Sequence, residues 1–414
     1  PKVPKVKVQK EPKVKVPKEP NVKVPKEPKV KDPKNKSIIN LPILNNRFSN
    51  KKYSKSLKKS SEKRSSVFIK HVDNKQNVNI IANFLKNKLI KDKYTLDNRV
   101  AFYKYISNIL SDINGDECLE PKLFDGKKGY TINNKINLYK KIGSASVYGV
   151  IYLTSIVNSF GGFTIASKVM PKTRDNTNEI QIMKNITDEI ILKKRSRHFA
   201  LMYKHAICNK SQYIFKNRII CVNELAHGDI RDLIGNDDIL KDDELMMNLL
   251  FQTFISIGTF HNLLNYVHND THSGNFLYQT NNEKGYYEYS FNGKSYYLKS
   301  CAYNIMICDF GLAKDVMNKN KIKDDYATIS NVFFNKKNGG LLPKHNLPSA
   351  YVNETLITIK NIVINTKYDI KKENIYNEYF ENIIEKIFIP FSPKGLWLTE
   401  RPNNVINKKA FDIS

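Results

Sequence analysis

An aspartate ends an apolar, strand-like run in IMICDFGLAK, residues 305–314, and Gly311 behind it permits a sharp turn. A carboxylate at a strand end is well placed to chelate a phosphate-bound divalent cation. This segment closes a series of four. KIGSASVYGVIY (141–152) sets Gly143 and Gly149 around a short loop between two β-like runs, where small residues let backbone amides approach phosphate oxygens. ASKVM (166–170) puts Lys168 inside a strand-forming run, and an inward lysine is costly unless paired. Glu179 in EIQIMK is the expected partner and Glu189 the fallback. VHNDTHSGNFLY (267–278) holds Asp270 and Asn275 five apart in a turn-prone stretch, an acid to orient a hydroxyl and an oxygen ligand for Mg²⁺. Each segment alone is weak; their order is what constrains the chain.

The rest of the sequence divides into a repetitive arm and a globular part. Residues 11–34 read EPKVKVPK, EPNVKVPK and EPKVKDPK, a period of eight. Prolines at this density exclude helix and central strand, so an extended arm is expected, followed by a Ser/Lys-rich linker to residue 66. The first 70 residues hold 22 basic and 5 acidic side chains, +17 of a formal +28, leaving +11 for the other 344. A solvated spacer and a tether to nucleic acid or an acidic partner stand as equal readings of the arm. Base stacking is not indicated, because the basic run from Lys51 to Arg64 interleaves no aromatic beyond Tyr53.

Helical periodicity marks 78–91 and 97–110, and 67–130 is read as a helical extension. Strands are expected at Ile132–Ile142, Gly149–Ser155, Phe163–Met170 and within Tyr213–Asn223, with helices over 179–194 and about 243–267. A β-rich first half and a helical second half predict an α+β fold of two lobes, 131–226 and 227–414. The tyrosine-rich YYEYSFNGKSYYL predicts a hairpin insertion over about 279–300, turning at Asn292-Gly293 and read as exposed decoration in preference to a substrate platform. Five scattered cysteines without CxxC spacing argue against a disulfide framework or zinc site and for a reducing compartment. No apolar run is long enough to span a bilayer, so an intracellular setting is expected. The chain opens on Pro1, as expected of a fragment.

Glycine-bearing loop, strand lysine, helix glutamate, HxDxxxxN and DFG in this order resemble the protein kinases. The resemblance covers roughly 135–330 and implies a two-lobed kinase-like fold using ATP and Mg²⁺ on protein substrates. In IGSASVYGVIY, HNDTHSGNFLY and RPNNVINKKAF it is most similar to the serine/threonine kinases of large DNA viruses, which would put the protein in host cytoplasm or virion.

Carried over, the resemblance implies that Gly143, Ser144, Ala145, Gly149 and Ile151 cover the nucleotide. Lys168 would hold the α/β-phosphates and pair with Glu179. Glu224, Leu225 and Ala226 would form the adenine-binding hinge behind Asn223, with Asp229 reaching the ribose. Asp270 would be the catalytic base, with His272 beside it, and Asn275 and Asp309 would hold Mg²⁺.

Departures from the pattern are equally visible. The loop lacks its middle glycine, Asn269 stands for the usual Arg, and His272 stands for the usual Lys. His272 also resembles the small-molecule phosphotransferases, with their HxDxHxxN loops. No APE follows DFG; Asp325 is the expected anchor of the catalytic loop, and Arg401 resembles the family's late Arg without a visible glutamate partner. An active Ser/Thr kinase, a small-molecule phosphotransferase and a non-catalytic tether are therefore the three readings.

Overall fold

A computed structural model describes residues 94–146, 149–159, 165–210, 215–315, 321–333, 347–367 and 375–414. The repeat arm, its linker and the helix expected at 78–91 lie outside them. Of two compact units, Pro1–Lys58 and Lys59–Ser414, only the second contains described residues.

Helix α1 (Leu96–Ile109) begins where Thr95 accepts the amide of Asn98 at 3.3 Å. The predicted helical extension over 67–130 then gives way to β1 (Glu120–Phe124) and β2 (Lys127–Ile132), so the sheet starts upstream of residue 131. Alternating exposure in β1 and the Asp125-Gly126 turn, both residues at positive φ, account for this hairpin. The strands β3 (Ile136–Ser146), β4 (Gly149–Ile156), β5 (Ile165–Pro171), β6 (Met202–Cys208) and β7 (Arg218–Glu224) complete a seven-stranded sheet in the order β1-β2-β3-β4-β5-β7-β6. Every pairing in it is antiparallel.

Helix α2 (Arg174–Asn185) packs against this sheet and runs into π-helical turns at Ile186–Ile191. It starts five residues before Glu179, because the Thr173 hydroxyl caps Asn176 at 3.2 Å. Cys118 and Cys208 form a disulfide with their Cα atoms 4.6 Å apart, a correction to the expectation of unpaired cysteines. Their 90-residue separation carries no sign in sequence that β6 returns beside the start of β1.

The second lobe is built on α3 (Asp243–Leu264), whose first turn is capped by Asp242 accepting the amide of Leu245 at 2.9 Å. Buried residues run unbroken from Met246 to His261, so the helix is enclosed on all sides instead of presenting one apolar face. Strand β8 (Gly228–Asp229) precedes α3, and β9 (Tyr266–Val267), β10 (Phe276–Thr280), β13 (Tyr303–Ile307) and β14 (Lys314–Asp315) follow it. They form a β13-β10-β8 sheet and a β14-β9 pair. Helix α4 (Lys321–Val332) packs on α3.

The expected hairpin forms as β11 (Tyr286–Phe291) and β12 (Lys294–Lys299), with Asn292 and Gly293 both at positive φ. It is not exposed decoration. Strands β15 (Trp397–Leu398) and β16 (Phe411–Asp412) extend it to four strands, and Tyr287, Tyr289, Phe291 and Leu298 are all at most 4% exposed. Burying one such aromatic contributes about 1.5–3 kcal/mol, so the insertion is part of the core. Arg401, for which the sequence shows no glutamate partner, pairs with Glu288 of this hairpin at 2.9 Å, its own side chain largely exposed.

Candidate active site

Strand β5 points Lys168 toward α2. Its ammonium donates to both oxygens of Glu179, at 2.8 and 2.9 Å, and to Asp309 at 2.9 Å. Burial works against the charge on Lys168, but the carboxylates of Glu179 and Asp309 outweigh it and raise its pKa above the ordinary lysine value. Glu189, the fallback partner, instead pairs with Lys193 on the surface. Lys168 lies opposite Ile151 on β4 and Cys221 on β7, and Ile151 is 39% exposed.

At the start of β4, Gly149 has φ +151°, and a Cβ there would stand 2.9 Å from the carbonyl of Val169. Glycine is thus required by the close approach of β5, whatever covers it. The backbone of Gly143, Ser144 and Ala145 continues β3, with a register irregularity between Ile142 and Ser146.

The segment from β9 to β10 carries Asp270, His272 and Asn275. Asp325 of α4 organises it from beneath. Its Oδ1 accepts the amide of Asn269 at 2.8 Å, and its Oδ2 accepts the amide of His268 at 2.8 Å and Nε2–H of His261 at 2.9 Å. The Thr271 hydroxyl adds a bond to the Asp325 carbonyl at 2.7 Å. A fully buried carboxylate with three donors thereby fixes the loop. Phe310 packs under it, 5.1 Å from the ring of Phe260 and 5.4 Å from that of His268.

The Asn275 amide nitrogen donates to the Asp270 carbonyl at 2.8 Å and to its Oδ2 at 3.1 Å. That use of the nitrogen leaves the amide oxygen as a ligand atom. His272 opens the turn at Ser273–Asn275, its Nδ1 accepting the Gly274 amide at 3.0 Å. Its Nε2 stands 3.6 Å from Asp270 Oδ2, beyond hydrogen-bond range. Asp309, at φ 63°, is 39% exposed at its side chain.

At the end of β7, Glu224 is buried and Asn223, Leu225 and Ala226 are half-buried. Asp229 caps the short helix Ile230–Ile234 by accepting the Arg231 amide at 2.8 Å, and the Arg231 guanidinium grips the same carboxylate. Glu224 turns its side chain inward to Arg99, with Nε–Oε1 and Nη2–Oε2 both at 2.8 Å. Sequence reading missed Arg99. A signal was present: it shares a helix face with Phe102 and Ile106, where a lone arginine needs a buried partner.

The structure brings Lys168, Glu179 and Asp309 into one ion cluster, and Asp270, His272 and Asn275 into one turn. Asp309 and Asn275 supply only oxygen donors, the chemistry Mg²⁺ takes. Among the described residues no group of three or more His, Cys, Asp or Glu side chains could hold a metal ion. Nor is any helix among them long and apolar enough to cross a membrane.

Residues 136–332 match the family model of the protein kinase domain. A crystal structure of a kinase domain, PF14_0431, aligns over 45% of this chain at 16% identity with a TM-score of 0.31. The aligned part spans about half, 53%, of that structure's length. No curated protein matches the chain.

Proposed function

We propose, from the match of residues 136–332 to the family model of the protein kinase domain, that the protein is an ATP-dependent serine/threonine kinase. The observation that carries the reading is Lys168 bonded at once to Glu179 and Asp309, which links strand, helix and DFG segment in one cluster.

In this reading Glu179 holds the Lys168 ammonium where it meets the α/β-phosphates. The backbone of Glu224 to Ala226 receives adenine, Asp229 faces the ribose, and the Gly143–Gly149 segment with Ile151 covers the nucleotide. Mg²⁺, when bound by Asp309 and the Asn275 amide oxygen, neutralises charge on the transferring phosphate. Asp270 accepts the proton of the substrate hydroxyl as its oxygen bonds to the γ-phosphorus and the bond to the β-phosphate oxygen breaks, releasing ADP. The Asn275 amide holds Asp270 in place for that step. His272 uses Nδ1 to accept from Gly274, which leaves Nε2 on the side of Asp270 at 3.6 Å, too far to bond it. The likeness to kinases of large DNA viruses, and a polyanion tether in the arm 1–66, belong to the same proposal.

One observation favours a second reading, a small-molecule phosphotransferase. Only 16 positions separate Asp309 from Asp325, with no APE between them, a short path on which to seat a peptide. Labelling with [γ-³²P]ATP separates the readings, using casein, a basic protein and small alcohols with wild type and Asp270→Asn. Label on protein that the variant loses supports the kinase. Turnover of alcohols alone supports the second reading, and no turnover by a folded protein leaves a non-catalytic tether.

A further inference from the structure

Arg99 lies 37 positions before the region that matches the kinase model, yet it reaches the segment where that region would hold adenine. Its side chain is wholly buried, as is that of Glu224, at 0% and 1% exposure. Four of its five N–H groups have acceptors. Nε and Nη2 form the fork to Glu224, Nη1 donates to the Arg197 carbonyl at 3.0 Å, and Nη2 also donates to the Phe199 carbonyl. Each Glu224 oxygen accepts a second bond, Oε1 from Gln279 Nε2 at 2.8 Å and Oε2 from the Leu201 amide at 3.2 Å.

The network therefore spans α1, the stretch before β6, the last residue of β7, and β10. Glu224 also anchors its own main chain, its amide donating to the Leu201 carbonyl at 2.9 Å. Three residues on, the His227 amide donates to the Tyr278 carbonyl at 2.9 Å. Both ends of the 224–227 segment are thus pinned, and the pin at Glu224 depends on a cation delivered by α1.

A buried carboxylate is expensive without a matched partner, and burial alone would not demand one at this place. An apolar side chain would fill the space as well. What the ion pair adds is direction: a planar fork with two further N–H groups held by carbonyls admits one orientation of Glu224. We infer that Arg99 is a positioning residue for the nucleotide site, fixing the 224–226 backbone through Glu224, so that the helix before the kinase-matching region sets nucleotide affinity. This rests on the kinase reading for the identity of the ligand, not for the mechanical coupling.

The test joins hydrogen exchange in nucleotide-free protein to ATP kinetics. Arg99→Lys keeps the charge and loses the fork. It should speed exchange at the Glu224 and His227 amides about tenfold while leaving those inside α3 unchanged. KM for ATP should rise about tenfold with a smaller fall in kcat. Asp97→Asn, which breaks only the exposed Asp97–Lys194 pair on the same helix, should change neither readout. The double variant Arg99→Met with Glu224→Met removes the pair without stranding a charge, and should keep the fold yet show the same rise in KM. Wild-type exchange at 224 and 227 in Arg99→Lys, or wild-type KM in a folded double variant, would overturn the inference. A wild type that binds no nucleotide sinks the kinase reading and the affinity claim together, while exchange still decides whether Arg99 positions the segment.

Discussion

The Asn269 side-chain amide donates to the carbonyl of Leu312 at 3.1 Å, tying the loop that carries Asp270 to the segment that follows Asp309. Asn269 sits at φ 62°, a conformation asparagine tolerates better than most residues, with its own amide held by Asp325. The pairing of β9 with β14, Val267 opposite Lys314, continues the same attachment. A short neutral side chain here does by direct bonding what a cation does only through an added phosphate.

Activity is therefore expected to be independent of phosphorylation in the segment after Asp309. Phosphatase treatment of active enzyme should leave kcat within about twofold, because no Arg at 269 waits for a phosphate. A loss of tenfold or more would contradict this.

Asp325 is the residue on which the loop's geometry depends most. Replacing it by Asn keeps the shape but turns one oxygen into a donor facing donors, since Oδ1 and Oδ2 together accept from Asn269, His268 and His261. Asp325→Asn should lower unfolding free energy by about 2–4 kcal/mol. It should also reduce kcat well beyond what the lost folded fraction explains, because the Asp270 backbone is released. Denaturant midpoints and kcat on the same samples test both; unchanged kcat in folded variant would show that the loop holds without its anchor.

How far the sequence reached depended on the kind of contact. Lys168 with Glu179, and Asp325 under the loop, were legible because a motif fixes their order and each charge needs a partner. The burial of the Tyr286–Lys299 hairpin was not, since its cover comes from Trp397 and Phe411, more than a hundred residues on. Arg99 with Glu224, 125 positions apart, escaped for the same reason. Periodicity shows that a face is apolar and says nothing of what lies across from it.

His198 makes a pH prediction. It is fully buried, and Nδ1 lies 2.8 Å from the Ile305 carbonyl, so Nδ1 carries the proton and Nε2 accepts the Tyr289 hydroxyl, also at 2.8 Å. Burial first, then the nearby Arg197 charge, lower its pKa from 6.5 to about 3. The unfolded chain therefore binds the proton first. Stability is full above pH 6.5 and falls as pH drops toward 3, by about 1.4 kcal/mol per unit from this group. Burial lowers the pKa of His268 as well, which acts in the same direction. His198→Gln should flatten the fall between pH 6.5 and 5 in denaturant titrations, at the cost of some stability at pH 7.5. A slope equal to the wild type's would exclude His198 as its source.

The Cys118–Cys208 disulfide closes a loop of 90 residues around β1 to β5 and α2, and both cysteines are at most 5% exposed. In the chain-entropy account, a link over such a distance restricts the unfolded ensemble and stabilises by about 2–4 kcal/mol. The native contacts beside it do not depend on it alone, since the Ile207 amide also donates to the Gly115 carbonyl at 2.7 Å. Cys118→Ala with Cys208→Ala should thus lose stability by about that amount, while KM for ATP and kcat stay within about twofold, neither residue touching the cluster around Lys168. Dithiothreitol should lower the unfolding midpoint of the wild type and leave that of the double variant unchanged. Identical midpoints for wild type and variant under oxidising conditions would show that the link contributes nothing to the folded unit.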